Sequence, residues 1–263
     1  MHSDKNAKKP FEVTRKFRQK RKKTGFFACD IDTPKKNWYT EIGKQFLKGF
    51  FDMIRSPFVL KLKEGKKAEG IAAMRGAFSD IKNMLDQKGV GNFSVWGIEN
   101  FLFCYGEYPD ECTVSAVAEN IAKELCAYAD MFSAPGTLPL MYHDIGIVRE
   151  DKSLIRHRVF STKLKDGCAP EYKRRHDVLI EQRGDKVSEG PESNFTIWNA
   201  NGYIFGYCEL VKAFDHEMTE EEKESIIAWE TRQLEIMDWL TDDTDWITGQ
   251  KHDAIELIVQ QNA

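Results

Sequence analysis

NFSVWGIENFLFCYGEY at residues 92–108 and NFTIWNANGYIFGYCEL at residues 194–210 stand a constant 102 positions apart. The same offset sets FVLKLKEG at 58–65 against FSTKLKDG at 160–167, so residues 58–108 align without a gap onto 160–210, with 12 of the 51 positions identical. Lys61, Leu62, Lys63 and Gly65 meet Lys163, Leu164, Lys165 and Gly167. Asn92, Phe93 and Trp96 meet Asn194, Phe195 and Trp198, and Phe103, Tyr105 and Glu107 meet Phe205, Tyr207 and Glu209. A repeat at fixed period decides the architecture before any element is named. An ungapped match preserves the spacing between elements, so both copies are expected to share one backbone.

Each copy reads as a short strand (58–63; 157–164), a helix after a glycine (66–87; 169–187) and two strands joined by a tight turn. In the second copy Asn201-Gly202 marks that turn, since this dipeptide readily takes the positive φ of a hairpin. A second helix is expected at 114–132 and 218–240, and a last strand near 140–149 and 252–260. The order βαββαβ is ferredoxin-like. Such a sheet carries both helices on one face and leaves the other bare. The expected fold is therefore α+β, two tandem ferredoxin-like modules whose sheets pack face to face as a dimeric α+β barrel within one chain.

The domain reading places a basic tail at 1–37, the first module at 56–150 and the second at 151–263, joined by a short polar link near 150–156. Between tail and first module, residues 38–55 carry Ile42, Phe46, Leu47, Phe50, Phe51 and Ile54 at helical spacing, an additional amphipathic helix expected to pack on the first module.

With 263 residues and 41% hydrophobic content, the chain can fill real cores. It has no run of the roughly 18 apolar residues that a membrane span needs, and no apolar core follows its N-terminal charges. A cytoplasmic protein with no membrane partner is expected. Cys29, Cys104, Cys112, Cys126, Cys168 and Cys208 form no CxxC pair and read as free, mostly buried thiols. Residues 1–23 hold ten Lys or Arg against Asp4 and Glu12, a surplus of eight, so with a net charge of −4 the remainder carries −12. A run such as TRKFRQKRKK reads first as a solvated arm, and the acidic body disfavours a nucleic-acid partner.

The repeat supplies an internal control for candidate site residues. Ile71, Met74, Phe78, Ile81 and Leu85 form one apolar stripe facing the sheet, and Met74 aligns with His176. On a shared backbone His176 points inward, where an imidazole needs a partner or a cavity. Tyr172, four residues earlier, stands on the same helix face.

Residues 156–260 resemble the L-rhamnose mutarotase family. The resemblance rests on EYKRRHD at 171–177, which resembles that family's helix motif, on the hairpin NFTIWNANGYIFGYCELV and on LEIMDWLTDDTDWIT; the first copy resembles the same module more weakly. The resemblance implies an enzyme, an isomerase that interconverts the α and β anomers of a hexose by acid and base work, without metal or organic cofactor. It makes His176 the general acid/base and Tyr172 a residue that positions a sugar hydroxyl, with Phe195, Trp198 and Trp239 as further substrate-binding positions. The chain departs from the pattern at Phe195, where the family has a tyrosine, and at Ile236 and Met237, placed where it has paired tryptophans on the second helix. The first copy has Gly70 and Met74 at the Tyr and His positions and is expected to be catalytically silent. A small-molecule sugar is thus the expected partner, the two copies forming a pseudo-dimer, with association of two chains left open.

Asp242, Asp243 and Asp245 lack the glycine-bearing loop of a calcium site and read as a solvated loop. His143-Asp144 and His252-Asp253 fall at similar places in the two copies and read as structural; Gly89, Gly91 and Gly97 form no phosphate-cradling fingerprint. Two alternatives remain beside the mutarotase. One is a non-catalytic carbohydrate-binding or regulatory protein. The other is a different ligand-binding or monooxygenase-like member of this architecture, which would need a larger, more apolar cavity.

Overall fold

The computed structural model describes residues 53–149, 151–187, 190, 192–213, 219–241 and 255–261. The expected tail, most of the helix at 38–55, Cys29, the Asp242–Asp245 cluster and His252-Asp253 lie outside these residues. Ile54, counted into that helix, instead opens the first strand.

The first half runs β1 (Ile54–Leu62), α1 (Lys67–Gln87), β2 (Gly91–Ile98), β3 (Phe101–Tyr108), α2 (Glu111–Glu124) and β4 (Ala129–Ser133), followed by β5 (Leu140–Gly146). The second runs β6 (Ile155–Leu164), α3 (Ala169–Arg183), β7 (Glu192–Ala200), β8 (Tyr203–Val211), α4 (Glu220–Gln233) and β9 (Met237–Thr241), followed by β10 (Glu256–Gln261). Two five-stranded antiparallel sheets result, ordered β10-β2-β3-β1-β4 and β5-β7-β8-β6-β9. The protein is α+β, built of two ferredoxin-like modules.

Two expectations are corrected. The second helices end at Glu124 and Gln233, not at 132 and 240, because Ala129–Ser133 and Met237–Thr241 are strands. Five-residue stretches such as ADMFS and MDWLT are too short for their period to separate strand from helix when they follow an amphipathic helix. The strands near 140–149 and 252–260 do not close their own sheets either. With β4 already beside β1 and β9 beside β6, β5 crosses to pair with β7 and β10 crosses to pair with β2. Each exchanged strand covers a row of backbone groups that would otherwise be left unpaired at a sheet edge.

The bare sheet faces are closed against each other by a shared core that includes Val59, Phe103 and Tyr105 from one sheet and Val159, Trp198, Phe205 and Tyr207 from the other. Phe103 stacks on Phe205 at 5.2 Å and Tyr105 on Tyr207 at 3.8 Å, repeat position against repeat position. Asn92 and Asn194 sit at matching bulges with φ of 48 and 49. Their amides bind into one buried cluster: Asn92 Nδ2 donates to Glu107 at 3.0 Å and Glu209 at 2.9 Å, and Asn194 Nδ2 donates to the Tyr105 hydroxyl at 2.7 Å. Lys152, in the link between the halves, donates to both carboxylate oxygens of Glu209 at 2.9 and 3.0 Å and lies 3.6 Å from Glu107. Two buried carboxylates would repel each other uncompensated, and this ammonium offsets them.

The helix-covered faces differ. Under α1 and α2 the core is filled by side chains such as Leu60, Met74, Phe93 and Tyr108, each fully buried. Under α3 and α4 a smaller cluster, including Leu164, Tyr172, Ile197, Ile204 and Met237, leaves space.

Candidate functional site

The space under α3 and α4 is a cavity of about 480 Å³, within the usual range for small-molecule sites. It is bordered by Tyr142 of β5, Phe160 and Thr162 of β6, Tyr172 and His176 of α3, Phe195 of β7, Trp229, Glu230 and Gln233 of α4, and Trp239 of β9.

Local sequence sets these elements. Pro170 lies in the first turn of α3, where its missing N–H leaves no bond unmade, and Gly184 ends the helix at φ 58. A capping box starts α4: the Thr219 hydroxyl accepts from Glu222 N at 3.2 Å, and the Glu222 carboxylate accepts from Thr219 N at 2.9 Å. Arg175, almost fully buried, ties the helices together. It donates to Glu171 and Glu235, both at 2.8 Å, and to the carbonyl of Arg232.

The cavity brings together Tyr172, His176, Phe195 and Trp239. Trp198 is not among its walls. Side chains alternate along β7, so Phe195 and Ile197 face the helices while Trp198 enters the core between the sheets, 6.3 Å from Phe103 and 6.0 Å from Tyr105 between ring centroids. Met237 borders the cavity from β9 rather than from a helix, and Ile236 is buried in the adjoining core. Sequence reasoning missed Trp229, Glu230 and Gln233. Their signal was present, for Ser225, Ile226, Trp229, Glu230 and Gln233 recur at helical spacing and all line the cavity. Tyr142 had no such signal, because β5 reaches this sheet only by exchange.

His176 is 5% exposed, and its Nδ1 donates to the Tyr172 carbonyl at 2.9 Å. A carbonyl only accepts, so Nδ1 carries the proton in the neutral ring, and Nε2 is the nitrogen with a lone pair. The ring lies 4.3 Å from that of Tyr172 and meets Trp229 edge-on at 5.5 Å. Burial holds the imidazole pKa below its ordinary 6.5. Burial and the nearby Glu230 push the Tyr172 phenol up, and burial pushes the Cys208 thiol up to about 12. Arg158 and Glu192, both partly exposed and 3.5 Å apart, border the same cavity.

Three residues that border the cavity hold four buried polar atoms with no hydrogen-bond partner among the described residues: Thr162 Oγ1, Gln233 Oε1, Gln233 Nε2 and Trp239 Nε1. Each unmet group of this kind costs about 1–3 kcal/mol.

The first module offers no counterpart at the matching positions. Leu60 stands where Thr162 does and Met74 where His176 does, and a Cβ at Gly70 would lie 2.5 Å from Leu62 Cδ2.

Residues 157–257 match the family model for L-rhamnose mutarotase. No curated protein matches the chain significantly. Among solved structures, the chain is similar to a Fusobacterium nucleatum protein described as a "putative monooxygenase", at 11% identity and a TM-score of 0.38, over 80% of this chain and 98% of that one. A Lactobacillus acidophilus protein of the same description is 12% identical with a TM-score of 0.38, over 78% of this chain and 99% of the other. No described helix is long and apolar enough to cross a membrane.

Proposed function

We propose that the second module is a sugar mutarotase of the L-rhamnose mutarotase type, interconverting hexose anomers without a cofactor. The observation that carries this reading is His176: a neutral imidazole whose Nδ1 is held by a backbone carbonyl and whose Nε2 is left to exchange protons inside a cavity walled by aromatic and polar groups. The family-model match over 157–257 supports the same reading.

Mutarotation breaks the bond between C1 and the ring oxygen. Nε2 of His176 takes the proton of the anomeric hydroxyl as that oxygen becomes the aldehyde carbonyl, and the imidazolium so formed gives it to the ring oxygen, bonded to the same carbon, as the C1–O bond breaks. Rotation about C1–C2 presents the other carbonyl face, and the transfers run in reverse. Glu230, on the same cavity, accepts a hydrogen bond from one sugar hydroxyl, and Tyr172 positions another. Trp229, Trp239 and Phe195 offer apolar faces to the sugar's C–H surface.

A second reading, sugar binding without turnover, is favoured by Phe195, which packs edge-on against Tyr142 and Phe160 and brings no phenol to the site. The first module, drawn at 56–150, is read as a duplicated copy without a site, and 151–263 as the active one. The shared element order and the paired Asn92/Asn194 and Glu107/Glu209 support duplication.

Saturation-transfer NMR of anomer exchange, across a panel including L-rhamnose and L-fucose, tests the proposal. Exchange above the spontaneous rate that is lost in His176→Ala is expected. Binding without faster exchange would move the assignment to the sugar-binding reading.

A further inference from the structure

A glutamine amide carries two donors and an acceptor, and hiding it from water is unfavourable unless all find partners. Gln233 is 1% exposed, at the last turn of α4, where its backbone carbonyl is occupied by Ile236 N at 2.9 Å. Gln233 borders the cavity together with Trp239 and Thr162, and both ends of its side chain lack a hydrogen-bond partner among the described residues, as do Trp239 Nε1 and Thr162 Oγ1. Three residues around a single space thus hold two donor nitrogens, one acceptor oxygen and one hydroxyl that are unmet among the described residues.

That set defines a ligand. An apolar molecule would leave all four atoms unmet. An anion would suit the donors but face Gln233 Oε1 and the Glu230 carboxylate. Two neighbouring hydroxyls suit both ends of the amide, one oxygen accepting from Nε2 while the other donates to Oε1. We infer that Gln233 is the specificity-determining residue of the cavity, gripping a vicinal diol of a neutral sugar through both ends of its amide while Trp239 and Thr162 engage further hydroxyls. The inference rests on the carbohydrate reading of the cavity, but not on turnover.

The test compares the full-length chain with Gln233→Met, which keeps length and apolar contact, and Gln233→Glu, which keeps the acceptor but not the donor. L-rhamnose and its singly deoxygenated analogues are titrated while the indole N–H resonance of Trp239 is followed, and anomer exchange is recorded in the same samples. Both variants are expected to bind L-rhamnose roughly 10- to 100-fold more weakly. Gln233→Met, relieved of an unmet amide, should melt at or above the wild-type temperature. Analogues lacking a hydroxyl that Gln233 holds should bind wild type poorly, yet bind Gln233→Met no worse than the parent sugar does. Undiminished binding by Gln233→Met, or a Gln233→Met protein that melts several degrees lower or fails to fold, overturns the inference. Sugar binding without exchange removes the mutarotase reading and leaves Gln233 in its role. Exchange that Gln233→Met leaves unaltered does the reverse, and no binding of any sugar removes both.

Discussion

The backbone carbonyl of Tyr172 holds Nδ1 of His176 at 2.9 Å while the two rings lie 4.3 Å apart, so one residue fixes both the tautomer and the tilt of the imidazole. The phenol is not needed for that task. Tyr172→Phe is therefore expected to keep the His176 tautomer and to change kcat less than about tenfold, while KM rises by the value of one hydrogen bond, about 0.5–1.5 kcal/mol. Steady-state anomer exchange over a sugar concentration series separates the two; a kcat loss as large as that of His176→Ala would make the phenol itself a proton-transfer group.

Burial lowers the His176 pKa from 6.5, which gives two linked pH effects. The acid limb of kcat/KM should lie below 6.5, because Nε2 stays unprotonated to lower pH than in a free imidazole. For stability, the unfolded chain binds the proton near 6.5 and the folded protein only at lower pH. The unfolded state therefore holds more protons in the window between them, and stability falls with acid there and is level above 6.5. His176→Asn should flatten that slope, as followed by thermal melts from pH 5 to 8.

Gly206 of β8 makes room for Phe160 of β6. A Cβ at 206 would stand 1.9 Å from Phe160 Cε1, so Gly206→Ala must push this ring aside, and the cavity it borders is the space available. The expected result is a loss of about 1–3 kcal/mol in stability together with weaker ligand binding. Chemical denaturation and ligand titration check both, and adding Phe160→Leu should restore much of the stability.

Lys152 and Glu209 form a buried pair that joins the link to the sheet interface. Lys152→Met leaves Glu209 and Glu107 without their ammonium and should cost about 3–5 kcal/mol, and Glu209→Gln added to it should recover part of the loss. A double-mutant cycle in urea measures the coupling; additive losses would mean the pair contributes little.

The ungapped repeat made the ferredoxin-like modules, their hairpins and their face-to-face packing legible, because a constant offset of 102 forces matching backbones and an alternating strand with one unaccounted apolar face has to find another. The inward placement of His176 was legible for the same reason, since Met74 lies in the apolar stripe of the sister helix, and Tyr172 followed from standing four residues before it. Trp198 was misplaced because strand alternation decides a side chain's layer, and its parity relative to Phe195 sends it the other way.

Local pattern thus determined which elements form and which helix face turns inward, since both follow from spacing along one stretch of chain. The exchange of β5 and β10, the filling of one helix-covered core and the hollowing of the other, and the gathering of Tyr142, Thr162, Gln233 and Trp239 around one space were decided in the tertiary structure. Those features depend on which surfaces compete for the same volume, and residues nearly a hundred positions apart meet there only once the two sheets have closed on each other.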